Sequence, residues 1–312
     1  MRVLVTGGAG FIGSHLCRQL VDSGQIVTAV DDLSSGLLTN LPDGVEFIEA
    51  DCSSPKIFKV LEGCAFDVVF HLAGQSSGER SFGDPHNDFL RNVVSTLNVL
   101  KWCEEQGVRR FIYASSMAVY GDQIEPCSEK LTLPKPLSFY ALGKECAERY
   151  VEKYQTKNMK TTIYRFFNVY GPGQDLANMQ QGMVSIYLAQ LLQSSAREVV
   201  VKGALDRTRD FVFCEDVVHV LCNTPCNPMT ENQVINIGLG NAISVRELVS
   251  TFEEIVERPI KIISSGGTPL DIDHSSADTT KLFEIFPELK NKMKPLKEGL
   301  REMWNFYSEK LK

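Results

Sequence analysis

The stretch SFYALGKECAERY places Tyr140 and Lys144 four residues apart. On a helix, positions i and i+4 share a face, so a phenol and an ammonium would stand side by side. A neighbouring cation favours the phenolate and draws a tyrosine pKa down from about 10. A phenol tuned in this way can take a proton near neutral pH. The same spacing on a solvated helix is an exposed pair without chemistry. The rest of the chain must decide between the two.

A second chemical stretch is GGAGFIG at 7–13, where Gly7, Gly10 and Gly13 give GxxGxxG and Gly8, Gly10 and Gly13 give GxGxxG. Glycines allow a tight turn and let backbone N–H groups approach a pyrophosphate, with the partial positive charge of a helix N-terminus behind them. A turn that merely packs helix on strand is the alternative. Asp31 stands 18 residues after Gly13, close to the spacing of about 20 that puts a carboxylate on the adenosine ribose. Asp32 adds negative charge, and no Arg or Lys follows within VDDLSSGLLTN. Both carboxylates would repel a 2′-phosphate, so NAD is expected rather than NADP.

These residues need elements to position them. MRVLVTGG, QIVTAVDD, VEFIEAD, DVVFHLAG, RRFIYASS and KTTIYRFFNVYG read as strands. Helices are expected over FIGSHLCRQLVDSG, around 55–63, over 88–106 and over the Tyr140 stretch to about 154. The strands are continuous apolar runs alternating with helices, which is the pattern of a parallel sheet covered on both faces. The expected fold class is α/β, a Rossmann-type doubly wound parallel sheet with a smaller, interleaved α/β substrate-binding lobe. Residues 1–168 are assigned to the first, with a return segment near 209–238. Residues 169–312 are assigned mainly to the second, with a helix over MVSIYLAQLLQSS, strands REVVVKG, QVINIG and PIKIISSG, and a helix over SVRELVSTFEEIVE.

The 312 residues carry a net charge of −7 and a pI of about 5.4. That balance argues against nucleic acid or an anionic membrane as partner. No apolar run approaches the ~20 residues of a membrane span, and the N-terminus runs into the glycine turn rather than a cleavage site. Nine scattered cysteines without a CxxC, and five histidines without ligand spacing, point to free thiols, no metal and a cytoplasmic location.

TGGAGFIG, VDD, EADC, HLAGQ, ASSMAVYG, YALGK, RFFNVYGPGQ, RDFVFCEDVV and SVRELV follow one another in order. In this the sequence resembles the extended short-chain dehydrogenase/reductases, of the NAD-dependent nucleotide-sugar epimerase/dehydratase branch, over nearly its whole length. The resemblance implies that Gly7, Gly10, Phe11, Ile12 and Gly13 form the cofactor turn, with Asp31 and Asp32 at the ribose. It puts Asp51 and Cys52 at the adenine and Leu72, Ala73 and Gly74 along the cofactor. Asn92 would stand behind the site and Phe167 near the nicotinamide. Ser116 matches the catalytic Ser/Thr and would hydrogen-bond the reacting hydroxyl. Lys144 would bind the nicotinamide ribose and, with help from the positive nicotinamide, lower the pKa of Tyr140, the base. Asn168 and Arg209 would meet the substrate diphosphate.

The resemblance also bears on the reaction. Dehydratases of the branch carry an acidic pair directly after the catalytic Ser/Thr, and decarboxylating members usually have Glu at the second of those positions. Met117 and Ala118 stand there, and neither can move a proton. The expected reaction is therefore epimerisation, most simply at C4 through a 4-keto sugar. The alternative is a net NAD-dependent dehydrogenase or ketoreductase on the same substrates. A 4,6-dehydratase, a decarboxylase and a non-catalytic NAD sensor rank below. A UDP-sugar is favoured, although Lys202 replaces the aromatic residue that many members stack on the base, which counts against uridine. Ser275 aligns with a gatekeeper whose small size admits 2-acetamido sugars. SSGGTPLDID lacks the arginine that often gives a second diphosphate contact, leaving Arg209 alone or with Arg207. Gly143 stands where Ser or Ala is usual. Members dimerise by a four-helix bundle of the 88–106 and Tyr140 helices, and Phe89, Val93, Leu97 and Leu100 form a candidate stripe, unless that stripe is core.

Overall fold

The computed structural model describes residues 1–193, 197–267 and 271–310. The chain divides into two compact units. The first comprises 1–119, 138–165 and 218–235, and the second 120–137, 166–217 and 236–312. The segment 120–137 thus leaves the first unit, which the expected continuous run to 168 did not provide for. The returning segment begins at 218 rather than 209.

The first unit opens with β1 (Arg2–Thr6), α1 (Phe11–Asp22), β2 (Ile26–Asp31), β3 (Val45–Glu49), α2 (Ile57–Val60) and β4 (Val68–His71). It continues with α3 (Gly78–Gly83), α4 (Pro85–Phe89), α5 (Ser95–Gln106), β5 (Arg110–Ser116), α6 (Phe139–Lys153) and β6 (Lys160–Phe166). A seven-stranded sheet runs β3-β2-β1-β4-β5-β6-β10, with β10 at Gln233–Ile237. From β3 to β5 the pairs are parallel, with Val3 opposite Val27 and Val68. Strand order reverses between β1 and β4, so both strands deliver their C-terminal ends to the same crevice, the usual ligand position in such sheets. Leu4, Val69, Val99, Leu100, Trp102, Phe111 and Ile163 pack into one core cluster.

The expected helix over 88–106 is interrupted. A π-helical stretch, Leu90–Val94, joins α4 to α5 and carries Asn92. Such single-turn π segments gather at functional sites because they turn one residue out of helical register. The candidate dimer stripe is divided by packing. Val93 and Leu100 are core, Leu97 is half-buried, and Phe89 is exposed.

The expected sixth strand breaks at Phe167. β6 stays in the large sheet, and β7 (Asn168–Tyr170) joins the second unit in a three-stranded sheet ordered β11-β9-β7, with β9 at Thr208–Phe213 and β11 at Ala242–Ser244. This unit also holds α7 (Met183–Gln193), β8 (Glu198–Lys202), α9 (Val245–Val256), β12 (Lys261–Ser265), α10 (Thr280–Ile285) and α11 (Leu296–Lys310). Between β9 and β10, α8 (Cys214–Asn223) carries the chain back to the first unit. β12 pairs in parallel with β8. A capping box closes the start of α9, with Ser244 and Glu247 satisfying each other's orphan N–H groups. Tyr170, Leu188, Val199, Phe213, Leu248 and Phe252 form this unit's core.

Candidate active site

The glycine turn links β1 to α1. Gly7 has φ +71, and a Cβ there would lie 2.7 Å from the Ala73 nitrogen; a Cβ at Gly13 would overlap the Gly7 carbonyl oxygen. Only glycine fits both positions. α1 begins at Phe11 with Gly10 as N-cap, no capping side chain and no acidic residue in its first turn. Its leading N–H groups, those of Phe11, Ile12 and Gly13, are thus left to an external acceptor. Asp31, at the end of β2, is buried, and its carboxylate accepts from Ala9 N–H (3.0 Å) and Leu33 N–H (2.9 Å). Burial raises its pKa, and these two hydrogen bonds oppose the rise.

Asp32 differs from the expectation. Arg91, from the π stretch, donates to its Oδ2 at 2.7 Å and to the Ser34 hydroxyl at 3.1 Å. Although no cation follows Asp32 in sequence, the fold brings one, so the added repulsion expected from Asp32 is neutralised. Among the described residues, Asp31 by contrast accepts only from backbone N–H groups. Asp51 is exposed and turns its carboxylate onto Ser53 N–H and Oγ, while Cys52 is buried.

Leu72 N–H donates to the Thr6 carbonyl and Ala73 N–H to the Thr6 hydroxyl. Behind them lies a directed chain. The Thr96 hydroxyl donates to the Asn92 carbonyl (2.7 Å), so it must accept from His71 Nε2–H (3.1 Å). Nδ1 is then left to accept from Thr6 (2.7 Å). Burial pushes the His71 pKa down to about 3, with Lys144 adding to the effect, so the imidazole is a neutral spacer. At Gly74 an added Cβ would lie 2.7 Å from Asn92 Oδ1 and 3.4 Å from Lys144 Nζ. Asn92 Oδ1 is buried without a hydrogen-bond partner. A crowded glycine cradle, uncapped helix amides and an orphaned acceptor beside a buried ammonium together fit a dinucleotide.

Ser116 closes β5, and Tyr140 and Lys144 lie on α6, whose N-cap Ser138 accepts from Ala141 N–H. The fold brings all three together. Ser116 Oγ accepts from Ala118 N–H (3.2 Å) and hydrogen-bonds Tyr140. Lys144 Nζ donates to the Ala114 carbonyl (2.9 Å) and sits 5.0 Å over the Tyr113 ring. Burial dominates the electrostatics of both groups. Burial pushes the Tyr140 pKa up to about 12, opposed by Ser116 and reinforced by Asp88. Burial pulls Lys144 down to about 8, opposed by Asp88 and Glu148. Lys144 alone does not offset the burial of Tyr140. The desolvation of both groups outweighs their proximity.

Asp88, Gln75 and Glu148 were not singled out by sequence. Asp88 is fully buried and accepts from Gln75 Nε2 (2.7 Å) and Asn92 Nδ2 (3.1 Å). Its one sequence signal was i, i+4 spacing to Asn92. Glu148 accepts from Arg165 at 3.0 and 2.6 Å and from the Ser115 hydroxyl.

In the second unit, Arg207 and Arg209 are both buried and both pair with Asp271, Arg209 at 3.1 Å. Arg209 also donates to the carbonyls of Thr208 and Asp273. Two guanidiniums share the Asp271 carboxylate, and the Asp273 and Asp122 carboxylates also act on Arg209. Residues 268–270, within the stretch lacking the second arginine, lie outside the described residues. Asn168 Nδ2 donates to the Asp210 carbonyl (3.0 Å). Phe167 is buried, its ring 6.5 Å from that of Tyr120, while Ser275 is buried and Lys202 exposed.

Residues 3–238 match the family described as NAD dependent epimerase/dehydratase. A UDP-glucose 4-epimerase of Mycolicibacterium smegmatis is 34% identical, with 99% of each chain covered. The crystal structure of a Thermotoga maritima UDP-glucose 4-epimerase with UDP-glucose superposes with a TM-score of 0.91 at 31% identity, covering 100% of both chains. That of a Thermus thermophilus UDP-glucose 4-epimerase complexed with NAD gives 0.89 at 29% identity, covering 99% of each. Matched by the family model over most of its length and by a relative at 34% identity over 99% of both chains, this chain belongs to the NAD dependent epimerase/dehydratase family.

Proposed function

We propose that the protein epimerises a nucleotide-diphosphate sugar, with a UDP-sugar as substrate and C4 as the reacting carbon. The observation that carries this is the Ser116–Tyr140 hydrogen bond beside Lys144, followed in sequence by Met117 and Ala118, which cannot relay a proton. UDP-glucose 4-epimerases are among the relatives at 34% identity and the structures at TM-score 0.91. NAD, when bound, supplies the hydride acceptor and donor and a positive charge beside the phenol.

The chain's own groups do the rest. Ser116 orients the sugar hydroxyl toward Tyr140, which removes its proton. Lys144 stabilises the phenolate and holds a ribose. Tyr140 returns the proton once the 4-keto sugar has turned its other face. Arg209, with Arg207, serves the diphosphate, a role suited to forked donors. Asn168 meets the same group, and the small Ser275 admits a 2-acetamido sugar.

The subunit pairs into a homodimer through α4, the π stretch, α5 and α6. Phe82, Phe89, Phe139, Leu142 and Tyr150, on α3, α4 and α6, are large apolar side chains exposed in the first unit. No helix among the described residues is long and apolar enough to cross a membrane. All nine cysteines are free thiols, which supports the cytoplasm as its compartment.

Proton NMR of the purified protein with UDP-glucose, UDP-galactose and their N-acetyl counterparts, without added cofactor, tests the reaction. Interconversion of one C4 pair is the expected result. A keto or reduced sugar formed only with stoichiometric NAD(H) would make the protein a net oxidoreductase. Loss of water or CO₂ would show that Met117 and Ala118 do not exclude elimination.

A further inference from the structure

We propose that Asp88 is a positioning residue for this reaction, a carboxylate fixed by Gln75 and Asn92 that provides the counter-charge holding Lys144 as an ammonium beside Tyr140. The proposal rests on the reading of Tyr140 and Lys144 given above.

Asp88 is 1% exposed, at the end of the short α4, whose N-cap Asp84 accepts from Asn87 N–H. Its hydrogen-bond donors are two neutral amides. Gln75 Nε2 is itself fixed by donating to the Ser77 carbonyl (2.8 Å), while Gln75 Oε1 accepts from Ser77 N–H. Neutral donors orient a buried carboxylate but do not balance its charge, and a buried charge without a partner is costly.

The groups facing Lys144 decide which charge is available to it. From α6 come Tyr140 and Glu148. From β5 come the Ala114 carbonyl and the Tyr113 ring. From β4 comes His71, which is neutral. From α4 comes Asp88. Glu148 is matched by Arg165 in a two-point pair at 3.0 and 2.6 Å. Among the described residues, Asp88 is then the carboxylate near Lys144 whose charge no guanidinium offsets. Asn92 connects the two, since a Gly74 Cβ would meet both Asn92 Oδ1 (2.7 Å) and Lys144 Nζ (3.4 Å) while Asn92 Nδ2 donates to Asp88 (3.1 Å), and Asp88 is the largest influence opposing the burial of Lys144.

The two helices pack closely at Gly143. A Cβ at 143 would lie 3.3 Å from Asp88 Oδ2 and 3.4 Å from Asn92 Cβ. Having no side chain there lets α6 settle against α4 and the π stretch.

The test is Asp88→Asn, which keeps an oxygen to accept from Gln75 and Asn92 and removes the charge. Two readouts are taken, the pH profile of kcat and the titration of Lys144 by NMR of [ε-¹³C]lysine-labelled protein. The Lys144 midpoint should fall by about one pH unit (tenfold in proton affinity). The alkaline limb of kcat should move down equally, and Asp88→Glu should restore most of both shifts. An unchanged midpoint, or a kcat lowered equally at every pH, overturns the role of Asp88 and leaves it structural. A fallen midpoint with an unchanged pH profile instead overturns the participation of Lys144. If the asparagine variant does not fold, the unaltered protein still decides. Its Asp88 carboxyl resonance must respond at the Lys144 midpoint, and independent titration overturns the proposal.

Discussion

At the scale of residues, the site sets a high proton affinity against a weakened cation. Burial pushes Tyr140 up to about 12 and pulls Lys144 down to about 8. A phenol held so high is a strong base once ionised, so removing it should cost more than removing the residue that orients the hydroxyl. Tyr140→Phe should lower kcat by about 10³-fold or more, within the usual range for a positioned acid–base group. Ser116→Ala should lower it by roughly 10- to 100-fold, because orientation through one hydrogen bond contributes about 1.5–3 kcal/mol. Both variants should retain NAD, read from the absorbance of the denatured extract. The sign of the pH dependence follows from Lys144. Its pKa lies below the ordinary 10.5, so the ammonium is lost as pH rises through about 8. The descending limb of kcat should begin there, measured by coupled assay from pH 6 to 10.

Elements hold these residues by close approach. Gly13→Ala would drive a methyl into the Gly7 carbonyl. It should lose bound NAD and about 1–3 kcal/mol of stability from overpacking, measured by urea unfolding. The buried Glu148–Arg165 pair fastens α6, which carries Tyr140 and Lys144, to β6. Glu148→Gln leaves a buried guanidinium without its partner and should cost about 3–5 kcal/mol. If unfolding in urea shows less than about 1 kcal/mol, the pair does not anchor α6.

For the whole molecule, the exposed aromatic and aliphatic side chains near α6 carry the proposed assembly. Phe139 and Leu142 are each about half exposed, at 45% and 53%, and Phe89 is 50% exposed. Large apolar side chains clustered in one region mark an interface more often than a free surface. Leu142→Glu should convert a dimer to monomer in sedimentation equilibrium at micromolar concentration. A wild-type chain that sediments as a monomer would remove the four-helix reading altogether.

The sequence alone determined the strand–turn–helix of 7–13, the carboxylate at Asp31 and the four-residue spacing of Tyr140 and Lys144, while Ser116 joined that pair only through the family resemblance. These are local patterns or fixed spacings, in which chemistry and backbone geometry demand particular residues at short range. It also allowed the parallel sheet to be read, because buried strands are continuous apolar runs. It did not reveal the break of the sixth strand at Phe167, since both halves carry β-branched and aromatic residues that favour strands and only pairing partners distinguish them. The partners of the charged groups were likewise decided by tertiary structure. Arg91 reaches Asp32 across 59 residues, and Asp271 joins Arg209 across 62. Asp88 gains its place near Lys144 through the packing of α4 and the π stretch against α6, which is close at Gly143. Desolvation depends on everything packed around a group, so the pKa values of Tyr140 and Lys144 belong to the folded molecule and not to the four-residue spacing that first drew them together.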